Sequence, residues 1–140
     1  MQVNLYLNFN GRCEAAFKFY ERCLGGKIEA MARYAGTPAE KQVPTDWRNK
    51  ILHARLRLGD QVLMGSDAPP GRYETAKGFS ASLGVDDPAE AERIFRALAE
   101  NGSVRTPLEK TFFEARFGMV MDQFGVPWMI VCEQAVAKAA

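Results

Sequence analysis

Apolar residues recur along this chain at two spacings, every second residue in some segments and every third or fourth in others. Residues 3–9 alternate apolar and polar side chains, which predicts a β-strand with one apolar face. Residues 16–23 carry apolar side chains at the spacing of an amphipathic helix, and Gly25-Gly26 ends that helix. Three further strands are predicted at residues 27–34, 50–58 and 61–66, the last two joined by a hairpin turn at Gly59-Asp60.

The same order of elements returns 76 residues later, where Leu7 falls on Leu83 and Phe19 on Phe95 without a gap. Asp86 or Asp87 is predicted to cap the second helix, with Pro88 in its first turn. The strands of this copy are predicted at residues 79–85, 103–108, 117–122 and 127–133. Two copies are too few for a solenoid. We therefore predict an α+β fold in which two βαβββ modules form a partly closed mixed-sheet barrel with a cleft.

Length and composition narrow the class of protein. The 140 residues carry a net charge of +1 with 47% hydrophobic residues, which is typical of one globular domain. We expect that domain at residues 1–134, with modules at about 1–67 and 77–134 and a frayed tail at 135–140. The spread of charge predicts no nucleic-acid partner. No apolar run approaches the ~20 residues of a membrane span, and no signal peptide is evident, so we expect a cytoplasmic protein.

The three cysteines do not suggest a disulfide or a zinc site. Cys13 and Cys23 lie about 15 Å apart along the first predicted helix, too far for a disulfide within it. Cys132 falls in the last strand, and no Cys-x-x-Cys spacing is present. We predict three buried free thiols.

Several motifs, in their order and spacing, resemble one family. They are Tyr6-Leu7-Asn8-Phe9-Asn10-Gly11, Lys50-Ile51-Leu52-His53-Ala54 and Asp122-Gln123-Phe124-Gly125-Val126-Pro127-Trp128. Together with weaker matches they span residues 3 to 133. The chain resembles the vicinal oxygen chelate superfamily of glyoxalase I, bleomycin-resistance proteins and extradiol dioxygenases, and within it the PhnB-like branch. One departure is Phe113, where similar sequences carry Trp. The resemblance implies paired βαβββ modules around a cleft, in a homodimer.

In metal-using members of that superfamily, ligands stand on the first and last strand of each module. The corresponding candidates here include Tyr6, Met64, Ser82 and Met129, which are poor ligands for a divalent transition metal. His53 is the only histidine, so one chain cannot supply two imidazoles. We therefore predict no metal or other cofactor. The alternative is a metal-dependent lyase, isomerase or dioxygenase with a divergent or dimer-assembled metal site.

His53 also suits acid–base chemistry, because its ordinary pKa is near neutrality. The competing interpretation is a hydrogen-bonded structural histidine near the cleft or a subunit interface. No Ser or Cys is placed by the sequence as its nucleophile partner, and Cys13 would have to approach through the fold.

Aromatic, methionine and polar residues on the predicted cleft strands and nearby loops form the candidate ligand pocket. The candidates are Tyr6, Asn8, His53, Met64, Ser82, Phe113, Arg116 and Trp128. Pockets of this kind are mostly apolar with a few polar anchors, and the competing interpretation for the apolar members is plain core packing. Arg116 suits an anionic group and equally an ion pair.

Four functions follow from these observations. The first is a protein that binds a small organic ligand without metal, and the second is the metal-dependent enzyme named above. The third, a methyltransferase, is disfavoured because no Gly-x-Gly-x-x-Gly follows a strand. The fourth is a structural dimer module. We expect a small-molecule partner and a second copy of the chain, and neither nucleic acid nor membrane.

Overall fold

The chain folds into two units, Met1–Glu74 and Thr75–Ala140. The computed structural model describes residues 1–110 and 116–133. The first unit contains β1 (Leu5–Phe9), α1 (Cys13–Leu24), β2 (Lys27–Arg33), β3 (Ile51–Leu58) and β4 (Gln61–Asp67), with 3-10 helices at Pro38–Gln42 and Thr45–Trp47. The second contains β5 (Ala81–Gly84), α2 (Pro88–Ala99), β6 (Ser103–Lys110), β7 (Arg116–Met121) and β8 (Pro127–Cys132). The predicted βαβββ order is therefore confirmed in both halves, while the frayed tail predicted at 135–140 lies outside the described residues.

Each unit forms one four-stranded mixed sheet. The strand order is β1-β4-β3-β2 in the first and β5-β8-β7-β6 in the second. The first and last strands of each unit pair in parallel, and the other pairs are antiparallel. The two sheets share this topology, as the repeat predicted. Each is an open sheet by its own strand pairing, and the barrel and cleft remain predictions.

One helix packs against one face of each sheet, and a glycine marks the point of closest approach. A Cβ at Gly65 would lie 2.8 Å from the Phe17 ring of α1 and 2.8 Å from the Leu7 carbonyl oxygen. A Cβ at Gly118 would lie 2.7 Å from the Phe95 ring of α2. Real Cβ atoms do not approach other atoms this closely, so the central strands need glycine where the helix packs against them.

Buried aspartates organise the loop ends of both units. Asp67 is 1% exposed, and its Oδ1 accepts hydrogen bonds from the amides of Gly11 and Cys13, each 2.9 Å long. Its Oδ2 accepts from the Ile51 amide, also at 2.9 Å. One carboxylate thus ties the end of β4 to the turn before α1 and to the start of β3, which satisfies donors that burial would otherwise leave unpaired.

The cysteine prediction is confirmed, since Cys13, Cys23 and Cys132 are all free and buried. Burial, and next the negative charge of Asp67, raise the pKa of the Cys13 thiol well above its ordinary value. Cys13 is therefore a core thiol and not a nucleophile at neutral pH. In the described part of the chain, no helix is long and apolar enough to cross a membrane.

Candidate functional site

The sheet of the first unit has one face against α1 and one face that carries polar and aromatic side chains. Gly65 faces Phe17 of α1, so its neighbour Met64 points to the opposite side, because successive strand residues alternate. We call that side open face A. It is formed by Tyr6 and Asn8 from β1, Met64 and Ser66 from β4, and His53 and Arg55 from β3.

An aromatic pair lies on open face A. The rings of Tyr6 and His53 stack with their centroids 6.0 Å apart and an interplanar angle of 28°. Tyr6 is 44% exposed, which is high for a large side chain on a sheet. Offset stacking stabilises such a pair by about 0.5–1.5 kcal/mol beyond its buried area. The pair therefore forms an exposed ring surface on open face A.

A second group on the same face is charged. The Arg55 Nε donates to Glu29 Oε1 at 3.1 Å, and the Arg57 Nε donates to Glu29 Oε2 at 2.7 Å. The Arg55 Nη1 lies 3.9 Å from the Met64 sulfur. Strand pairing places Met64 between Tyr6 and Arg55. Across open face A, the Tyr6 ring is therefore followed by the Met64 thioether and then by the Arg55 guanidinium.

The corresponding face of the second unit is apolar. Gly118 faces α2, so Phe117 and Met119 point away from that helix. Met119 pairs with Met129, which pairs with Ser82. We call this surface, with Met121, open face B. It has Phe117, Met119 and Met121 at the register positions where strand β3 of the first sheet has His53, Arg55 and Arg57.

The structure brings half of the predicted pocket residues together. Tyr6, Asn8, His53 and Met64 share open face A, and Ser82 lies on open face B. Arg116 is exposed at the start of β7, and Phe113 lies outside the described residues. The binding role of these residues stays a prediction.

Trp128 has a different environment from the other candidates. It is 2% exposed on the side of the second sheet that faces α2, and its Nε1 donates to Asp122 Oδ2 at 2.8 Å. Asp122 also accepts from the amides of Phe124 and Val126. This environment is that of a core tryptophan. The predicted ligand contact of Trp128 stays a prediction, and the burial of its side chain does not support it.

Two residues of open face A were not among the sequence candidates, Arg55 and Ser66. The signal for Arg55 was present, because residues 53, 55 and 57 share one face of a strand and all three are basic or titratable. His53 itself has no cysteine partner of the kind considered above. Cys13 belongs to α1, which packs on the opposite side of the sheet.

The residues at the expected ligand positions do not suit a metal. Tyr6 and Met64 pair on the first sheet, and Ser82 and Met129 pair on the second. Divalent transition metals favour imidazole, carboxylate and thiolate ligands. Within residues 1–110 and 116–133, no three His, Cys, Asp or Glu side chains are grouped so as to hold a metal ion. We therefore derive no chemical step through a metal.

Comparison with known proteins agrees with this fold. A family model described as 3-demethylubiquinone-9 3-methyltransferase matches residues 1–131. Protein YjdN of Escherichia coli (strain K12) is 33% identical over 138 residues, covering 93% of this chain and 94% of that protein. The crystal structure of protein PA1353 from Pseudomonas aeruginosa is 52% identical, with a TM-score of 0.86, over 95% of this chain and 98% of that one.

Two more distant structures show the fold alone. A Bacillus cereus PhnB protein, described as a putative 3-demethylubiquinone-9 3-methyltransferase, has a TM-score of 0.79 at 23% identity, over 94% of this chain and 99% of that one. A V278E mutant of glyoxalase I from Zea mays has a TM-score of 0.66 at 22% identity, over 97% of this chain and 47% of that one. The fold is therefore similar to that of about half of the glyoxalase I chain.

Proposed function

The chain belongs to the PhnB-like family whose model is described as 3-demethylubiquinone-9 3-methyltransferase, and from that premise we propose that it binds a small organic ligand on open face A without a metal. One observation carries the proposal, the exposed Tyr6–His53 ring pair on the sheet face away from α1. Binding sites for small molecules combine apolar or aromatic surface with a few polar groups. Open face A supplies both.

The family description names a methyl transfer, which we do not propose for this chain. A cofactor that contains a nucleoside, such as S-adenosylmethionine, is typically bound at the carboxyl ends of the strands of an open, mostly parallel sheet, after a glycine-rich turn. Each described sheet here is mixed, with only one parallel pair among its three. A metal-dependent reaction would require donors that Tyr6, Met64, Ser82 and Met129 do not provide.

The test uses N-phenyl-1-naphthylamine, a neutral two-ring fluorophore, as the probe. We expect saturable binding to the wild-type protein and a dissociation constant about five- to tenfold weaker for Tyr6→Ala, because a ring contact of this kind contributes about 1 kcal/mol. His53→Ala should weaken binding in the same direction.

The matched control is Phe79→Ala. Phe79 is 45% exposed, close to the 44% of Tyr6, but it lies outside the strands that form open face A. Its replacement should leave the dissociation constant within twofold. Equal weakening by both variants would show that the probe adheres to exposed aromatic residues in general. An unchanged constant for Tyr6→Ala would refute the proposed site.

The predicted homodimer is a separate proposal. Light scattering coupled to gel filtration would give the mass of the particle in solution, against 15.6 kDa for one chain. A single species at the mass of one chain, across the working concentration range, would refute it.

A further inference from the structure

We infer that open face A takes an anionic ligand, a planar aromatic carboxylate or sulfonate, with Arg55 as the anchor for its acidic group. The inference rests on the proposed function, because the ring of that ligand would use the Tyr6–His53 pair. The positive charge on this face and the hydrogen bond that orients Arg55 are the reasons for inferring that the ligand is an anion.

The Arg55 guanidinium is held from one side only. Its Nε donates to Glu29 at 3.1 Å, which fixes the plane of the group. Its Nη1 lies toward the Met64 sulfur at 3.9 Å, a weak acceptor. Among the described residues, Nη2 forms no hydrogen bond. Nη1 is therefore on the Met64 side of the guanidinium, and the Nη1–Nη2 edge has no acidic partner among the described residues. This is an edge with which arginine binds a carboxylate bidentately.

The local charge also favours an anion. Glu29 is the only acidic partner in the described ion pairs of both Arg55 and Arg57, so two positive charges oppose one negative charge. The three side chains are partly exposed, at 39%, 43% and 33% for Arg55, Arg57 and Glu29. Glu29 keeps a guanidinium partner even when Arg55 engages a ligand, so binding does not leave a bare carboxylate.

The fold does not require this charge. The second unit has the same strand order and register, and it has Met119 where the first has Arg55, and Met121 where the first has Arg57. A methionine therefore fits that strand position without an ion pair. Because architecture does not explain Arg55, a ligand contact is the role we assign to it.

The size of the ligand follows from the strand spacing. Tyr6 is on β1 and Arg55 on β3, with β4 between them. Neighbouring strands lie about 4.8 Å apart, so the two backbones are separated by about 10 Å. Two fused or linked rings with one acidic substituent span that distance.

A pair of probes isolates the anionic group. 8-Anilino-1-naphthalenesulfonate and N-phenyl-1-naphthylamine share the same ring system, and only the first carries a sulfonate. The variant is Arg55→Met, which places in the first unit the residue that the second unit already has at that register. We expect it to weaken binding of the sulfonate tenfold or more, and to weaken binding of the sulfonate at least fivefold more than binding of the neutral probe.

Two further variants make the result specific. Arg57→Met removes the other arginine paired with Glu29 and should weaken sulfonate binding by less than threefold. Arg55→Lys keeps the charge and loses the fork, so its effect should fall between wild type and Arg55→Met. Thermal unfolding would show whether Arg55→Met folds. If it does not, Arg55→Lys alone tests whether the guanidinium fork binds the sulfonate.

The outcomes separate the two claims. If Arg55→Met weakens both probes alike, or neither, the anionic inference is wrong while Tyr6-dependent binding of the neutral probe still supports the proposed function. If the neutral probe binds without dependence on Tyr6, the proposed function fails and the inference fails with it. The same holds if neither probe binds.

Discussion

Replacing one buried oxygen with nitrogen at Asp67 should destabilise the first unit strongly. Asp67→Asn preserves the shape of the side chain, and its remaining oxygen still accepts from the Gly11 and Cys13 amides. The new NH2 group then faces the Ile51 amide, which is also a donor. In the opposite amide orientation the NH2 group would face the Gly11 and Cys13 amides, and two hydrogen bonds would be lost instead of one. That orientation is therefore less favourable.

The magnitude follows from the loss of that one bond. A hydrogen bond to a charged group contributes about 1.5–3 kcal/mol, and a buried donor left unpaired costs about 1–3 kcal/mol. These effects overlap, so we expect a decrease of about 3 kcal/mol in the free energy of unfolding. For a chain of this length the unfolding temperature should fall by about 10 °C.

Urea denaturation at neutral pH, followed by circular dichroism, measures the effect. The matched control is Asp60→Asn in the exposed hairpin turn, where Asn suits the turn as well as Asp does, and the change should stay within about 0.5 kcal/mol. Hydrogen exchange of the Ile51 amide should speed up in Asp67→Asn. A stability change below about 0.5 kcal/mol for Asp67→Asn would refute the role assigned to this carboxylate.

Three further outcomes are expected. Gly65→Ala should cost about 1–3 kcal/mol, since its Cβ would overlap Phe17 and backbone; Gly84→Ala, with open space around it, should be neutral, and equal effects would contradict the packing argument. Hydrogen bonds from Arg33, and then Lys18, lower the Glu14 pKa to about 2; the folded-state pKa is depressed, so this pair stabilises above pH ~4.5 and is lost as pH falls toward 2. Glu14→Gln should therefore cost less than about 1 kcal/mol at pH 7 and progressively less as the pH falls from about 4.5 toward 2, as urea titrations at each pH would show. A thiol-specific disulfide reagent should modify no cysteine of the native protein and all three after unfolding; rapid labelling of the native protein would contradict the burial.

The elements of the fold were predictable because their signals are local. The hairpin predicted at Gly59-Asp60 is present, with Leu58 paired to Gln61 and Gly59 at a φ of 66°. Asp87 caps α2 as one of the two residues proposed. The predicted loop between β2 and β3 contains two 3-10 helices that the pattern did not reveal. Such short turns depend on a few backbone hydrogen bonds and leave no periodic pattern.

The site was only partly predictable. Tyr6 and His53 were both candidates from the sequence, because each alternates with apolar residues in its strand, but only the structure brings their rings together. Trp128 was harder to place, since β8 reads Pro-Trp-Met-Ile-Val-Cys and is apolar on both faces. Alternation cannot say which face of such a strand meets the helix. The alternation of β3 placed Arg55 on the same face as His53, but its ion pair with Glu29, 26 residues away in the sequence, left no local signal.

Periodicity, turn residues and the internal repeat were enough to predict the two βαβββ halves, because these patterns are local or directly comparable along the chain. The family was indicated by the order and spacing of its motifs. The tertiary structure was needed to show how strands pair beyond the predicted hairpin, which side of each sheet meets its helix, and which distant groups meet. Asp67 is the clearest case, because its carboxylate joins residues 16, 54 and 56 positions away. Folding brings such distant parts of the chain together at the cost of closing a long loop, and a pattern of a few neighbouring residues does not record which parts will meet.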